Sequence, residues 1–287
     1  MQEISTIPAC PARPSDAHKG TFGTVVVVGG CATMLGAPAL CAAAALRGGA
    51  GLVKVCVEPA ILPFVLAIEP SATGLLLGDA GATAAALDHA DPDARAVLAI
   101  GPGMGRGETA QHVVMTLLRG RRAAVLDADG LNALAASKQR LAGDAPRVLT
   151  PHPGEYRRLA EAVGLHFNPA DSGQRAAAAG ELARAHHAVV VLKGAATVIS
   201  DGERCRVNRT GNPALATAGS GDVLTGLIAA LLAQGMTPFD AASLGAHLHG
   251  LAADRWAQQH GPSGLTARDL AAALPDTFVQ HRRESAR

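Results

Sequence analysis

Short apolar runs alternate with longer segments of helical spacing through most of the chain. Residues 24–28 hold four consecutive valines and end at Gly29-Gly30; 52–57, 96–100, 123–127, 147–150 and 189–192 repeat the form. Runs this short, with little polar alternation, predict strands buried on both faces. Helices are expected between them, over about 37–47, from the 101–105 loop to 118, briefly from Gly130, from Glu155 to about 163, and over about 172–186. Residues 198–200 and 204–207 flank Asp201-Gly202 and predict a hairpin. The last third reads as helical over about 221–234, 239–259 and 267–273, the second opened by Thr237 as a cap and Pro238 at the first helical position. The Ala-rich runs at 82–86 and 176–179 read as helical filler.

Strands alternating with helices predict an α/β fold, a mostly parallel, doubly wound central sheet flanked by helices. With no repeat, long linker or break in composition, one domain is expected over 19–274. A proline-containing irregular arm would precede it at 1–18, and a tail would follow at 275–287. Hydrophobic residues make up 48% of the chain and aromatics only 2%. The core must therefore be Ala, Val and Leu, which brings helices close to the sheet.

Net charge is +1, and the basic runs Arg119-Gly120-Arg121-Arg122 and Arg282-Arg283 are short. They read as solvated surface, so nucleic acid is not an expected partner. Five scattered cysteines without a C-x-x-C pair argue against a disulfide framework or a zinc site and for a reducing compartment. There is no signal segment and no apolar run of membrane-spanning length, so the expected location is cytoplasmic, with no membrane partner.

Most special residues directly follow a strand: Gly29-Gly30, the 101–105 loop, Asp127 and Asp129, His152 and Glu155, and Lys193. In an open parallel sheet ligands bind outside the carboxyl ends of the strands. Each residue also has a plainer reading: the glycines as tight turns, Asp127 and Asp129 as caps, Asn132 as a loop anchor, His186-His187 as surface. His247 and His249 lie two apart on a helix and are poor partners for one metal. Lys193 ends a four-residue apolar strand and must reach solvent or an anion. No Walker A loop, nicotinamide-binding G-x-G-x-x-G or G-x-S-x-G elbow occurs.

What remains is Thr217-Ala218-Gly219-Ser220-Gly221-Asp222-Val223-Leu224-Thr225-Gly226, a small-residue turn before an apolar segment. If it opens a helix, its unpaired amides and the helix dipole favour an anion there. A carboxylate at the same place would repel phosphate unless it faces a substrate hydroxyl while the amides face the phosphoryl group. The alternative is a plain helix start capped by Ser220 or Asp222.

Together these segments resemble the ribokinase-like superfamily and, within it, the ADP/ATP-dependent NAD(P)H-hydrate dehydratases. The resemblance rests on His18-Lys19-Gly20 through Gly29-Gly30, Gly36-Ala37-Pro38-Ala39, Leu46-Arg47-Gly48-Gly49-Ala50-Gly51, Gly101-Pro102-Gly103-Met104-Gly105 and Asp127-Ala128-Asp129-Gly130-Leu131-Asn132. It continues through Thr150-Pro151-His152-Pro153-Gly154-Glu155, Lys193-Gly194-Ala195-Ala196-Thr197, Asn208-Arg209-Thr210-Gly211-Asn212 and the turn at 218–224. The Gly-x-Gly-Asp turn alone marks the superfamily; the ordered set is specific to the dehydratases. Ser220 and Met104 are mild departures from the pattern.

The resemblance implies a ribokinase-like fold without a β lid, for which the 29–36 gap leaves no room. It implies a hydro-lyase that uses ADP to dehydrate the S form of NAD(P)H hydrate to NAD(P)H, yielding AMP and phosphate. Asp222 would be the general base, with the Gly219, Ser220 and Gly221 amides as the anion hole. Ala39, Gly103, Gly105, His152 and Asp222 would contact the hydrate. Lys193, Gly194, Ala195, Ala196, Thr197 and Gly221 would contact the nucleotide, ADP or ATP. Mg2+ would accompany its phosphates near Asn132 and Glu155, with its ligands unassigned.

The pattern further implies a stand-alone dehydratase served by a separate epimerase. An open, lidless pocket would be closed by a neighbouring subunit of a homotetramer. Two rivals are a kinase of a thiazole or hydroxymethylpyrimidine alcohol, which would not need the 101–105 and His152 loops in this form, and a non-catalytic nucleotide-binding regulator, which would not need Asp222.

Overall fold

Small and large apolar residues alternate along the central strands. Val97 and Ala99 face one way and Leu98 and Ile100 the other; Val125 opposes Leu126, and Val148 opposes Leu149. The smaller set packs under one helical layer and the larger set under the other, so the sheet is buried on both faces.

The computed structural model describes residues 1–285. Ten strands form one mixed sheet: β1 (Gln2–Glu3), β2 (Thr24–Val28), β3 (Leu52–Val57), β4 (Thr73–Leu76), β5 (Val97–Ile100), β6 (Ala124–Leu126), β7 (Arg147–Leu149), β8 (Val189–Leu192), β9 (Val198–Ser200) and β10 (Arg204–Val207). Their order is β1-β10-β9-β8-β7-β6-β5-β2-β3-β4. All neighbours run parallel except around β9, which is antiparallel to both β8 and β10. That is the expected hairpin at 201–202.

The helices are α1 (Gly36–Arg47), α2 (Leu62–Ile68), α3 (Ala80–Ala90), α4 (Glu108–Leu118), α5 (Ala128–Ser137), α6 (Pro153–Ala162), α7 (Arg175–His186), α8 (Ser220–Ala233), α9 (Pro238–His260) and α10 (Ala267–Ser285). Helices α1, α8, α9 and α10 cover the small-residue face, and α3 to α7 the other. The tightest pair is α1 with α8. A methyl group on Gly226 would lie 2.0 Å from the Cys41 carbonyl oxygen, so only glycine permits this approach. No strand interrupts 29–36, in keeping with the lidless fold.

Four features depart from expectation. The 58–95 stretch holds α2 and the edge strand β4, whose Thr-Gly-Leu-Leu is largely exposed and has no apolar period to announce it. The last helix does not stop at 273 but runs through Pro275 to Ser285, because Leu274, Thr277, Phe278 and His281 keep burying one face. The N-terminal arm is tied down: β1 pairs with β10, Arg206 donates to the Ser5 carbonyl, and His281 Nε2 donates to the Pro8 carbonyl at 3.0 Å. His186, expected at the surface, is buried and accepts from the Leu141 amide at 3.4 Å.

Candidate active site

The carboxyl ends of β5 to β8 converge on the start of α8. Asp127 follows β6 and is only 2% exposed. Its side chain makes no cap bond to α5. Asp127 Oδ1 instead accepts from Lys193 Nζ at 2.5 Å and Thr150 Oγ1 at 2.9 Å, and Oδ2 accepts from Thr225 Oγ1 at 3.0 Å. Burial disfavours the Asp127 anion, but the Lys193 ammonium and the two hydroxyls outweigh it and hold its pKa below the usual range. Burial also opposes the Lys193 cation, and Asp127, then Glu155, reverse that and raise its pKa.

Glu155 Oε2 lies 3.9 Å from Lys193 Nζ and accepts from the His152 amide at 2.8 Å. In return His152 Nδ1 accepts from the Gly154 amide at 2.9 Å, so the pair forms a reciprocal capping box at the start of α6. Burial raises the Glu155 pKa despite Lys193. Burial, then Lys193, lowers that of His152, which keeps Nδ1 free to accept.

The start of α8 is different. Its N-cap is Gly219, in the left-handed region at φ 85°, and no side chain caps it. Ser220 Oγ donates backwards to the Leu215 carbonyl at 2.9 Å. Neither Ser220 nor Asp222 is therefore a cap; the Ser220 amide donates to the Thr217 carbonyl at 3.4 Å, and the Gly221 and Asp222 amides are left for something else. Asp222 sits on this first turn with no hydrogen-bond donor among the described residues. Burial, then repulsion from Asp127, pushes its pKa up to about 7 against the pull of Lys193.

Beside this turn opens a cavity of about 450 Å³ lined by Lys193 to Thr197, Ser220, Gly221, Asn208, Thr210 and His249. All the residues predicted to meet the nucleotide thus line one cavity. Ala196 within it is held at φ 55°, a region costly for a residue with a side chain. The sequence profile of the NAD(P)H-hydrate dehydratase family matches residues 25–276.

The chain belongs to that family.

It is similar to the bifunctional NAD(P)H-hydrate repair enzyme of Moorella thermoacetica, 44% identical over 92% of this chain and 51% of the relative. It spans about half the length of the bifunctional relatives it matches. It is also similar to the ADP-dependent (S)-NAD(P)H-hydrate dehydratase of Neisseria meningitidis, 40% identical over 91% of this chain and 87% of that one. Among solved structures, the ADP/ATP-dependent NAD(P)H-hydrate dehydratase of Bacillus subtilis, co-crystallised with ATP and Mg2+, superposes with a TM-score of 0.80. The two are 32% identical, with 95% of each chain covered.

Within this family fold, the residues predicted to meet the hydrate are dispersed. His152 adjoins the Lys193 cluster through Glu155. Gly105 borders a wider hollow of about 560 Å³ over α4, α5 and α6, where its amide donates to Asp129 Oδ2 at 2.9 Å. Gly103 packs on Met34 and Ala37 ahead of and within α1. Ala39 is 1% exposed and borders a separate hollow of about 170 Å³ against α2 and α10.

Asn132 and Glu155 have separate partners: Asn132 bonds Asp129 and Arg158 over the wide hollow, and Glu155 accepts from the His152 amide at α6. Among the described residues no three His, Cys, Asp or Glu side chains are placed to hold a metal ion. The donors present do not make a protein cage, which a Mg2+ ion carried on nucleotide phosphates does not need.

Sequence reasoning missed Thr150, Thr225 and His249. The two threonines are lone hydroxyls ending or interrupting buried apolar runs, a signal that could have marked them. His249 Nε2 donates to the Ser220 carbonyl at 2.9 Å, and burial pushes its pKa down to about 4, so it stays neutral against the first turn of α8.

Proposed function

We propose that this chain dehydrates the S form of NAD(P)H hydrate to NAD(P)H, consuming ADP and releasing AMP and phosphate. The observation that carries this reading is Asp222: an uncommitted carboxylate on the first turn of a helix that no side chain caps, directly after Ser220 and Gly221, which line a cavity shared with Lys193 to Thr197. Family membership and the names of its relatives support it.

In this reaction Asp222 accepts the proton of the hydrate's hydroxyl as that oxygen attacks the terminal phosphorus of ADP. The bond from phosphorus to the AMP oxygen breaks. The amides of Gly219, Ser220 and Gly221, with Lys193 behind them, stabilise the charge on the transferred group. Phosphate then leaves in place of hydroxide, a far worse leaving group. The ring nitrogen supplies the electron pair, and a proton lost from the adjacent ring carbon restores the dihydropyridine. A base with pKa about 7 is half ionised at neutral pH, which suits proton acceptance there.

Ala39, Gly103, Gly105 and His152 are the hydrate contacts in this reading, and Mg2+ bound to the nucleotide supplies charge neutralisation for its phosphates. A separate epimerase feeding the S form, a cytoplasmic location and a homotetramer whose neighbouring subunit closes the pocket complete it. The direct test supplies acid-generated NADH hydrate with ADP or ATP and follows the nicotinamide absorbance. Recovery is expected; its absence with both nucleotides sinks the proposal.

A further inference from the structure

Asp127 was read from sequence as a special residue at a strand end, with a cap as the plainer alternative and no role of its own assigned; its carboxylate is held from three other elements. Lys193 reaches it from the end of β8, Thr150 from the end of β7 and Thr225 from α8, at 2.5, 2.9 and 3.0 Å. Thr225 Oγ1 also lies 3.0 Å from the Gly221 carbonyl, so its single hydrogen is shared between two acceptors and its hydroxyl sits between the carboxylate and the first turn of α8. A methyl group on Gly221 would sit 3.3 Å from Asp127 Oδ2 and 3.4 Å from Lys193 Nζ. The ion pair is thus packed directly behind the first turn of α8, while Lys193 still lines the nucleotide cavity.

We propose that Asp127 is a positioning residue for the phosphoryl step: it anchors the Lys193 ammonium beside Gly221 and, by its fixed charge, sustains the basicity of Asp222. The proposal builds on the reading of Asp222 as the base. An untethered ammonium facing Asp222 would pair with it and quench the base. Tethered to Asp127, it meets the anion while Asp222 stays open to the hydroxyl. The charged groups facing Asp222 are Asp127, which strengthens it as a base, and Lys193, which weakens it. The further titratable neighbour is the Cys41 thiol of α1, kept neutral by burial.

The test compares Asp127→Asn with the charge-retaining Asp127→Glu, reading the pH dependence of kcat and the carbon-13 titration of the Asp222 carboxyl in the resting protein. In Asp127→Asn both midpoints should fall by about one pH unit, with a raised KM for ADP; Asp127→Glu should restore the midpoints. A loss of kcat with both midpoints unmoved would overturn the proposal and leave Asp127 a purely structural residue. If Asp127→Asn does not fold, Lys193→Gln carries the test with the opposite sign. Asp127, no longer compensated, should then raise the Asp222 midpoint, and an unmoved one overturns the proposal. The carboxyl titration needs no substrate, so failure of the wild type to restore NADH would sink the functional reading and leave this one decidable.

Discussion

Helices α6 and α8 begin at the same edge of the sheet, and their first turns are built in opposite ways. At α6 the side chains close the helix on itself: His152 accepts from the Gly154 amide and Glu155 accepts from the His152 amide. At α8 the capping position is a glycine, Ser220 donates away from the helix, and Asp222 has no donor among the described residues. Unpaired amides at a helix start must find a partner, so the Gly221 and Asp222 amides, which their own chain leaves unpaired beside a cavity, offer a ligand a place to bind. The contrast separates a turn closed on itself from the turn to which the proposed reaction assigns the chemistry, although both carry an acidic residue in the first turn.

Lys193 stands between the two, bonded to Asp127 behind α8 and 3.9 Å from Glu155 of α6. Its removal should have the largest effect. Lys193→Met leaves Asp127 buried without its cation, and breaking such a pair costs about 3–5 kcal/mol. The two threonine hydroxyls that remain on Asp127 place the expectation at the lower end. In the wild type the Asp127 pKa lies below its unfolded value, so its contribution is present above the unfolded pKa and lost as pH falls through the folded one. Without Lys193, burial raises that pKa instead, so the deficit should be greatest at neutral pH and shrink toward acid. Urea unfolding of both proteins at pH 5 and pH 8 checks this; a deficit independent of pH would mean that the ion pair is not what stabilises this edge.

Asp222→Asn probes the open turn alone. Loss of a general base should lower kcat by ~10²-fold or more, with ADP binding by calorimetry retained. Stability at pH 8 should hold or rise, since repulsion from Asp127 is relieved. The wild-type kcat should fall on the acid side with a midpoint near 7, as Asp222 takes up a proton. Near-normal turnover in Asp222→Asn would remove the distinction between the two helix starts.

How much of this was legible in sequence depended on whether the signal was local. The buried strands showed themselves as short valine and leucine runs, and the five strand ends with special residues pointed to the edge where the Lys193 and Asp127 cluster and the start of α8 meet. The turn at 219–222 was ambiguous because capping and anion binding draw on the same small residues; only the bond from Ser220 to Leu215 separates them. Asp127, Thr225 and Lys193 are 98 and 66 residues apart from one another along the chain in the bonds they share, and no local pattern joins them. β4 escaped for another reason: an exposed edge strand has no buried face to impose a period.

His152→Ala gives the smallest effect and the finest test of the comparison. It removes the acceptor for the Gly154 and Glu155 amides, and loss of a cap costs about 1 kcal/mol. His152→Asn supplies a short side-chain oxygen at the same position and should recover most of that loss, because Asn is among the preferred caps. If His152 only closes α6, the Asn variant should also recover the wild-type KM for the hydrate. If the imidazole meets the hydrate as well, stability returns while KM stays raised, since Nε2, 3.4 Å from Glu155 Oε1, has no counterpart in asparagine. Thermal unfolding and KM measured on the same two variants decide between these outcomes. The second would show that a self-closed helix start can still present one atom to a substrate, and would narrow the contrast with α8 to the amides themselves.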